Sequence, residues 1–293
     1  MTATTGERPA VRLGGGLRRR NLVNALMVGL MGLCVVIAVV PLVSLLWYVI
    51  QRGVGALSWT ALTAAPAPVS EGGGGFGHAI VGTLILLLIA SLVGIPWGVL
   101  TAIYLSEYAR GRLGRAVRFF SDVLTGVPTL VTGLVVYGLV VIAMGSFSAL
   151  AGGIALGLIM LPIVTRSTEE MLNLVPDSLR EAGLALGMSR WKVIVRIVLP
   201  TAAKGIVTGN LLAVARASGE TAPLVVTVLG SNFFVTKLTG SPIAALPLYI
   251  FQNATQPNPV GIRLAWAATL VLIAFILILS LVARLVGRGS EVE

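Results

Sequence analysis

The chain has 293 residues, of which 56% are hydrophobic and 11% charged, less than half the roughly 25% charge of a soluble domain. That excludes a soluble protein of this size; one cysteine, Cys34, excludes a disulfide scaffold, and the apolar content excludes a disordered chain. The net charge of +10, from 21 Lys+Arg against 11 Asp+Glu, would suggest nucleic acid in a soluble protein; in an integral membrane protein the question is which loops hold it, and no nucleic-acid partner is expected.

A helix crossing the hydrocarbon core needs about 20 apolar residues. The chain opens with a basic tail, residues 1–21, followed by an apolar run at 22–50. That run is far longer than the 7–15 residues of a typical signal-peptide core, so it is read as a retained span. Residues 57–78 are Gly-rich, with Gly72–Gly75 in a row, and read as a flexible external connector. Gly72, Gly74 and Gly77 match a dinucleotide fingerprint, but they follow no strand and the match is discounted. Further spans are expected at 79–105, 119–144, 147–165, 205–230 and 264–286, and a tail at 289–293. Barrel-type alternation is absent. The expected fold is all-α: a polytopic membrane protein with six transmembrane helices, in one domain over 22–288.

The cations divide unequally. Seventeen of the 21 lie in the N-terminal tail, between spans two and three, between spans four and five, and at the C-terminal end. Only Arg52, Lys237 and Arg263 fall on the other side, and Arg216 lies inside span five. This asymmetry places both termini in the cytoplasm.

The cytoplasmic stretch 166–204 is too long for a simple connection. Ser178 and Glu181 have capping-box spacing, so a short helix is expected to start at Ser178 and stop at Gly187. Ser189 can cap a second helix over 190–199, with Pro200 marking a break or bend before span five. Leu184, Leu186, Met188 and Trp191 would need a partner surface; the blander alternative is a re-entrant or interfacial helix pair lying on lipid headgroups. The run Glu181-Ala182-Gly183, three residues, Gly187, nine residues, Ile197-Val198-Leu199-Pro200 resembles the EAA loop of ABC-importer permeases, departing from it at Gly183, where the pattern has Ala. The resemblance implies that Glu181, Ala182, Gly183 and Gly187 belong to a coupling helix that seats on an ATPase subunit. None of the three lysines stands in a phosphate-binding Gly-Lys-Ser/Thr context, so ATP is expected on another chain.

Span five contains Arg216-Ala-Ser-Gly-Glu220-Thr-Ala-Pro223. Arg216 lies 12 residues from Lys204, about 18 Å along a helix and near the midplane, where an arginine costs roughly 2.5–3.5 kcal/mol. Glu220, four residues on, would share its face, with Gly205, Gly209 and Ala213 continuing a small-residue stripe and Pro223 kinking the helix. One reading is a structural ion pair inside the bundle. The other is an anion pathway in which Arg216 contacts an oxyanion through its planar fork and Glu220 orients it or exchanges a proton.

The segment Arg216–Pro223 resembles the span-five signature of phosphate ABC-importer permeases; Ser121–Leu134, with Gly126, Pro128 and Gly133, and Gly82-Thr83-Leu84 resemble the same family. Of its two permease types the chain looks like the PstA type. That resemblance implies a type I ABC-importer permease architecture in a bacterial inner membrane. It implies a complex with a PstC-type permease, two ATP-binding subunits, an extracytoplasmic phosphate-binding protein and membrane lipid. No cofactor, metal or catalytic residue is expected. Rival readings are a permease for molybdate or sulfate, a passive anion channel, and an intramembrane enzyme acting on lipids, for which the convergent catalytic groups are missing.

Weaker expectations complete the reading. The pairs Gly94/Gly98, Gly153/Gly157 and Gly205/Gly209 allow close helix packing, within the chain or against a partner permease. Asp122 is expected to pair locally with Arg118, His78 to sit at the outer interface, and Cys34 to fill a buried apolar position.

Overall fold

The computed structural model describes residues 16–68, 70, 72–109 and 111–288. Arg8, Arg12 and Arg110, three of the seventeen cations counted above, and the tail 289–293 lie outside the described residues. The chain divides into two units, residues up to Ile50 and residues from Gln51.

Helix α1 (Gly16–Val54) supplies the first unit and runs into the second. Its apolar side chains point in all directions, as in a helix immersed in acyl chains, and Pro41 is accommodated within it. Cys34 is exposed, not buried as expected; a helix of this composition has no polar face to turn outward.

In the second unit the Gly-rich segment is no loose connector. Ser58 caps the short helix α2 (Trp59–Thr63), its Oγ accepting the Ala61 N–H at 3.0 Å. The chain then folds back tightly, with a bridge between Pro66 and Gly74. A Cβ on Gly74 would lie 2.2 Å from the Ala65 carbonyl oxygen, and one on Gly75 2.4 Å from that of Thr60. These glycines are there because backbone meets backbone.

Helix α3 (Gly77–Ile103), extended by a π-helical turn at Tyr104–Tyr108, packs along α7 (Ala149–Asn173). The glycine pairs are the contact: a Cβ on Gly94 would lie 2.9 Å from the Gly157 carbonyl oxygen, one on Gly153 2.4 Å from Ile89 Cγ2, and one on Gly98 2.6 Å from Val164 Cγ1. Gly205 and Gly209 fit in the same way against Met171 and Ser167 of α7. All three pairs thus pack within the chain. Around this seam lies the main core, with Leu86, Leu156, Met160, Ala213, Leu224 and Val228 buried together.

The expected span three is broken. Helix α4 (Arg112–Gly126) and the pair formed by α5 (Thr129–Val136) and α6 (Ile142–Met144), joined through a π turn at Tyr137–Val141, meet at 104°. Pro128 is the cause: it forces Val127 out of the helical region, to φ −70° and ψ 130°, and offers no N–H of its own. Among the described residues five helices are individually long and apolar enough to cross a membrane, or six if this bent pair is one span. Among the described residues there is no strand, only isolated bridges.

Spans four and five also depart from expectation. Helix α7 continues to Asn173, so only a short segment separates it from α8 (Asp177–Ala185). The second helix expected after Ser189 does not stop at Pro200. Helix α9 (Arg190–Val193) runs through a π turn at Ile194–Val198 into α10 (Leu199–Ala217) as one span. In that wider turn the Leu199 N–H reaches back to the Ile194 carbonyl, and the proline enters without a break. The break comes later, at residues 218–221, before α11 (Ala222–Thr227), so span five does not extend unbroken over 205–230.

The chain ends with α12 (Leu246–Ala254) and α13 (Pro259–Arg288). The segment entering α12 is pinned by the motif at the start of α3. A Cβ on Gly82 would lie 2.0 Å from the Ala244 carbonyl oxygen, and Thr83 Oγ1 accepts the Leu246 N–H at 2.8 Å while donating to the Ala79 carbonyl at 2.8 Å. Thr83→Val removes that acceptor and leaves a buried N–H without a partner. We expect a loss of about 1–3 kcal/mol, read as a lower thermal unfolding midpoint in detergent, with Thr83→Ser close to wild type.

Candidate functional site

Two regions of the second unit carry the residues singled out from the sequence. In the first, the two helix breaks meet. Arg216 is in the last turn of α10, where its charge suits the helix dipole. It borders a narrow cavity shared with Thr125, Val127, Thr129 and Thr132 at the α4–α5 break. Leu158, Ile159, Pro162 and Ile163 complete it from mid-length of α7. Pro162 has no N–H to give the Leu158 carbonyl, which leaves α7 one intrahelical bond short beside the cavity. Gly133 holds the two broken helices together: its Cβ would lie 2.7 Å from Pro223 Cα. Interrupted helices at membrane depth occur where backbone is buried in protein or lines a cavity.

Arg216 and Glu220 do not share a helical face. The helix ends at Ala217, and Glu220 lies in the break with its N–H bonded to the Ala217 carbonyl at 3.2 Å. Among the described residues the two side chains form no ion pair with each other or with any third group. The structural pair weighed above is not formed. Pro223 sits in the first turn of α11, a position it suits, so the expected kink is a full break.

The second region is α8. Its start is not the expected capping box. Pro176 occupies the N-cap position without a side-chain bond, Ser178 is inside the helix, and Asp177 supplies the acidic first turn. The N-cap therefore lies two residues earlier than expected, at Pro176, whose fixed φ leads the chain into the helix. Its end agrees with expectation: Gly187 has φ +79°, the Met188 N–H bonds the Gly183 carbonyl at 3.2 Å, and the Gly187 N–H that of Leu184 at 2.9 Å, a Schellman stop. Ser189 stands at the N-cap of α9 but makes no side-chain cap bond. Gly183, the departure from the EAA pattern, is buried, and its Cβ would lie 2.8 Å from Ile197 Cδ1 and 2.9 Å from Val193 Cγ2. Its smallness lets α8 lie close on the following helix. Glu181 and Ala182 are exposed, as are Leu184, Leu186 at 82% and Trp191 at 58%.

Sequence reasoning missed the charged cluster beside α8. Glu107, in the π turn after α3, is buried and takes Arg180 Nη2 at 2.8 Å. Glu169 of α7 takes Arg118 Nε at 2.7 Å, and Arg166 bridges Glu169 at 3.5 Å and Asp122 at 3.2 Å. Asp122 thus pairs with Arg166 of α7 and not with Arg118, because α4 turns Arg118 toward Glu169. The available signal was a carboxylate at the end of an apolar run, Glu107, next to a run of arginines. His78 is buried, with the rings of Tyr249 and Phe234 set edge-on at 5.7 and 6.2 Å. Among the described residues no group of His, Cys, Asp and Glu is placed to hold a metal.

This geometry can be set beside known proteins. Residues 94–291 match the family described as binding-protein-dependent transport system inner membrane component. The phosphate transport system permease protein PstA of Yersinia pestis is 44% identical over 84% of this chain and 83% of its own length. PstA 1 of Mycobacterium tuberculosis is 42% identical over 92% and 90%. Among solved structures, a bacterial ABC transporter involved in import of the acidic polysaccharide alginate aligns with a TM-score of 0.62 at 15% identity, over 96% of this chain and 99% of its own. The MetNI methionine ABC transporter, in an inward-facing conformation, aligns at 0.58 and 16% identity, over 74% and 97%. The fold is therefore that of ABC-importer permeases, and the chain belongs to the PstA family of phosphate transport permeases.

Proposed function

We propose that the chain is the PstA-type permease subunit of an ATP-driven phosphate importer in a bacterial inner membrane, with both termini in the cytoplasm. The observation that carries this reading is the kinship with phosphate permeases over some nine-tenths of the chain. Arg216, which makes no ion pair among the described residues and lies where two broken helices meet, supports it. In this reading a PstC-type permease supplies the other half of the pathway, two ATP-binding subunits dock below, and an extracytoplasmic protein delivers phosphate. The subunit itself hydrolyses nothing.

Each residue then has a task. ATP closes the ATPase pair, and α8, gripped through Glu181, Ala182 and the turn at Gly187, moves with it, while Gly183 keeps α8 seated on its own chain. The two breaks rearrange, and Arg216 offers its paired N–H donors to phosphate oxygens as the anion passes. Glu220 stands at the edge of that path, where it exchanges a proton or meets the arginine once the breaks shift.

Reconstitution with the partner subunits in lipid tests this. Binding protein loaded with phosphate is expected to stimulate ATP hydrolysis and labelled-phosphate uptake. Stimulation only by sulfate or molybdate would keep the permease and discard phosphate. Flux without ATP would make the chain a channel.

A further inference from the structure

The cluster beside α8 has no task in the transport reading so far. Helix α8 buries only Gly183 against its own chain, so it needs a second attachment if its movement is to reach the membrane helices. Arg180 is that attachment. Its Nη2 and Nε reach Glu107 Oε1 at 2.8 and 3.1 Å, and Nη2 also donates to the Leu172 carbonyl at 2.8 Å. Its Nη1 donates to the Val175 carbonyl. One guanidinium thus ties α8 to the end of α3 and to the last turn of α7. From the other side Arg190, at the start of span five, donates to the Glu107 carbonyl and lies 5.3 Å over the Tyr108 ring.

We propose that Glu107 and Arg180 form the strut through which displacement of α8 moves α3 and α7 together. They are positioning residues for transport, and the proposal rests on α8 being the helix that docks the ATP-binding subunits. The physical ground is burial. The Glu107 side chain is 6% and that of Arg180 18% exposed, so the pair is short, desolvated and stiff. The contact of Arg180 with Asp177, whose side chain is 90% exposed, is a weak surface pair. The Glu107–Arg180 pair is the buried charged tie between α8 and the end of α3, and it has few alternatives when α8 shifts, which is what transmission requires.

The test is phosphate transported per ATP hydrolysed by the complete complex in liposomes, with the amount of copurifying ATP-binding subunits as a second readout. Glu107→Gln keeps the shape and removes the charge. We expect it to retain those subunits and hydrolyse ATP at close to the wild-type rate, while moving at least about tenfold less phosphate per ATP. Arg180→Ala is expected to do the same, and Asp177→Asn to leave the ratio unchanged. Since Arg180→Ala strands a buried carboxylate and can fail to assemble, Glu107→Gln decides. An unchanged ratio in Glu107→Gln overturns the strut, as does a parallel loss of hydrolysis and transport at constant ratio. Absence of ATP-binding subunits from the wild-type complex would instead overturn the docking reading of α8.

Discussion

Arg216→Ala is expected to stop phosphate uptake while the complex still assembles. The two halves of this expectation have separate grounds. Assembly should survive because the Arg216 side chain makes no ion pair or hydrogen bond among the described residues, so its removal strands no protein group. Uptake should fail because the guanidinium is the one cation on a wall otherwise made of threonines and apolar residues. Losing one partner of a desolvated charge pair costs about 2–5 kcal/mol, or at least roughly thirtyfold in rate or affinity. Arg216→Lys should fall between, since it keeps the charge and loses the fork. The measurement is labelled-phosphate uptake alongside copurification of the other subunits. Normal uptake by Arg216→Ala would remove the anion contact from this residue.

The position of Arg216 also shows what sequence reading reaches and what it misses. The apolar runs marked the five long helices and the bent pair that makes six if it is one span, and Arg216 stood out because an arginine in such a run is expensive. Its surroundings did not follow. Pro128, Pro162 and Pro223 all lie in apolar sequence, yet α7 passes through Pro162 unbroken while the chain breaks before Pro128 and Pro223. The difference lies outside the local sequence. Helix α7 is held along its length by glycine contacts to α3, so the bond missing at Pro162 is tolerated. Pro128 follows Gly126 and Pro223 follows Gly219, where the helix is already weak. The Gly-rich segment misled in the opposite way: repeated glycine reads as looseness, but Gly74 and Gly75 are set where another backbone passes within a bond's reach. The Glu107–Arg180 pair joins residues 73 apart, and no spacing rule reports such a contact.

The surface of α8 supports the second large effect. Glu181→Arg is expected to weaken docking of the ATP-binding subunits by at least about tenfold, and Leu186→Asp to do so more strongly. Glu181 is exposed and makes no cap bond, since the helix starts at Asp177, so its charge is available to a partner. In the docking reading, reversing it would turn an attraction across a desolvated contact into a repulsion. Leu186 is 82% exposed in a turn that also presents Leu184 and Trp191. A leucine buried fully on docking contributes about 1.5–3 kcal/mol, and an aspartate there adds the cost of desolvating a charge. Neither change touches the packing of Gly183 on Val193 and Ile197, so the permease fold should be unaffected, which a thermal unfolding midpoint checks. Copurification of the ATP-binding subunits, quantified against the permease, reads the effect. Full retention and full coupling in both variants would show that the ATPase grips another surface. The strut from Arg180 to Glu107 would then have no input to carry, so the docking variants come before the coupling ratios.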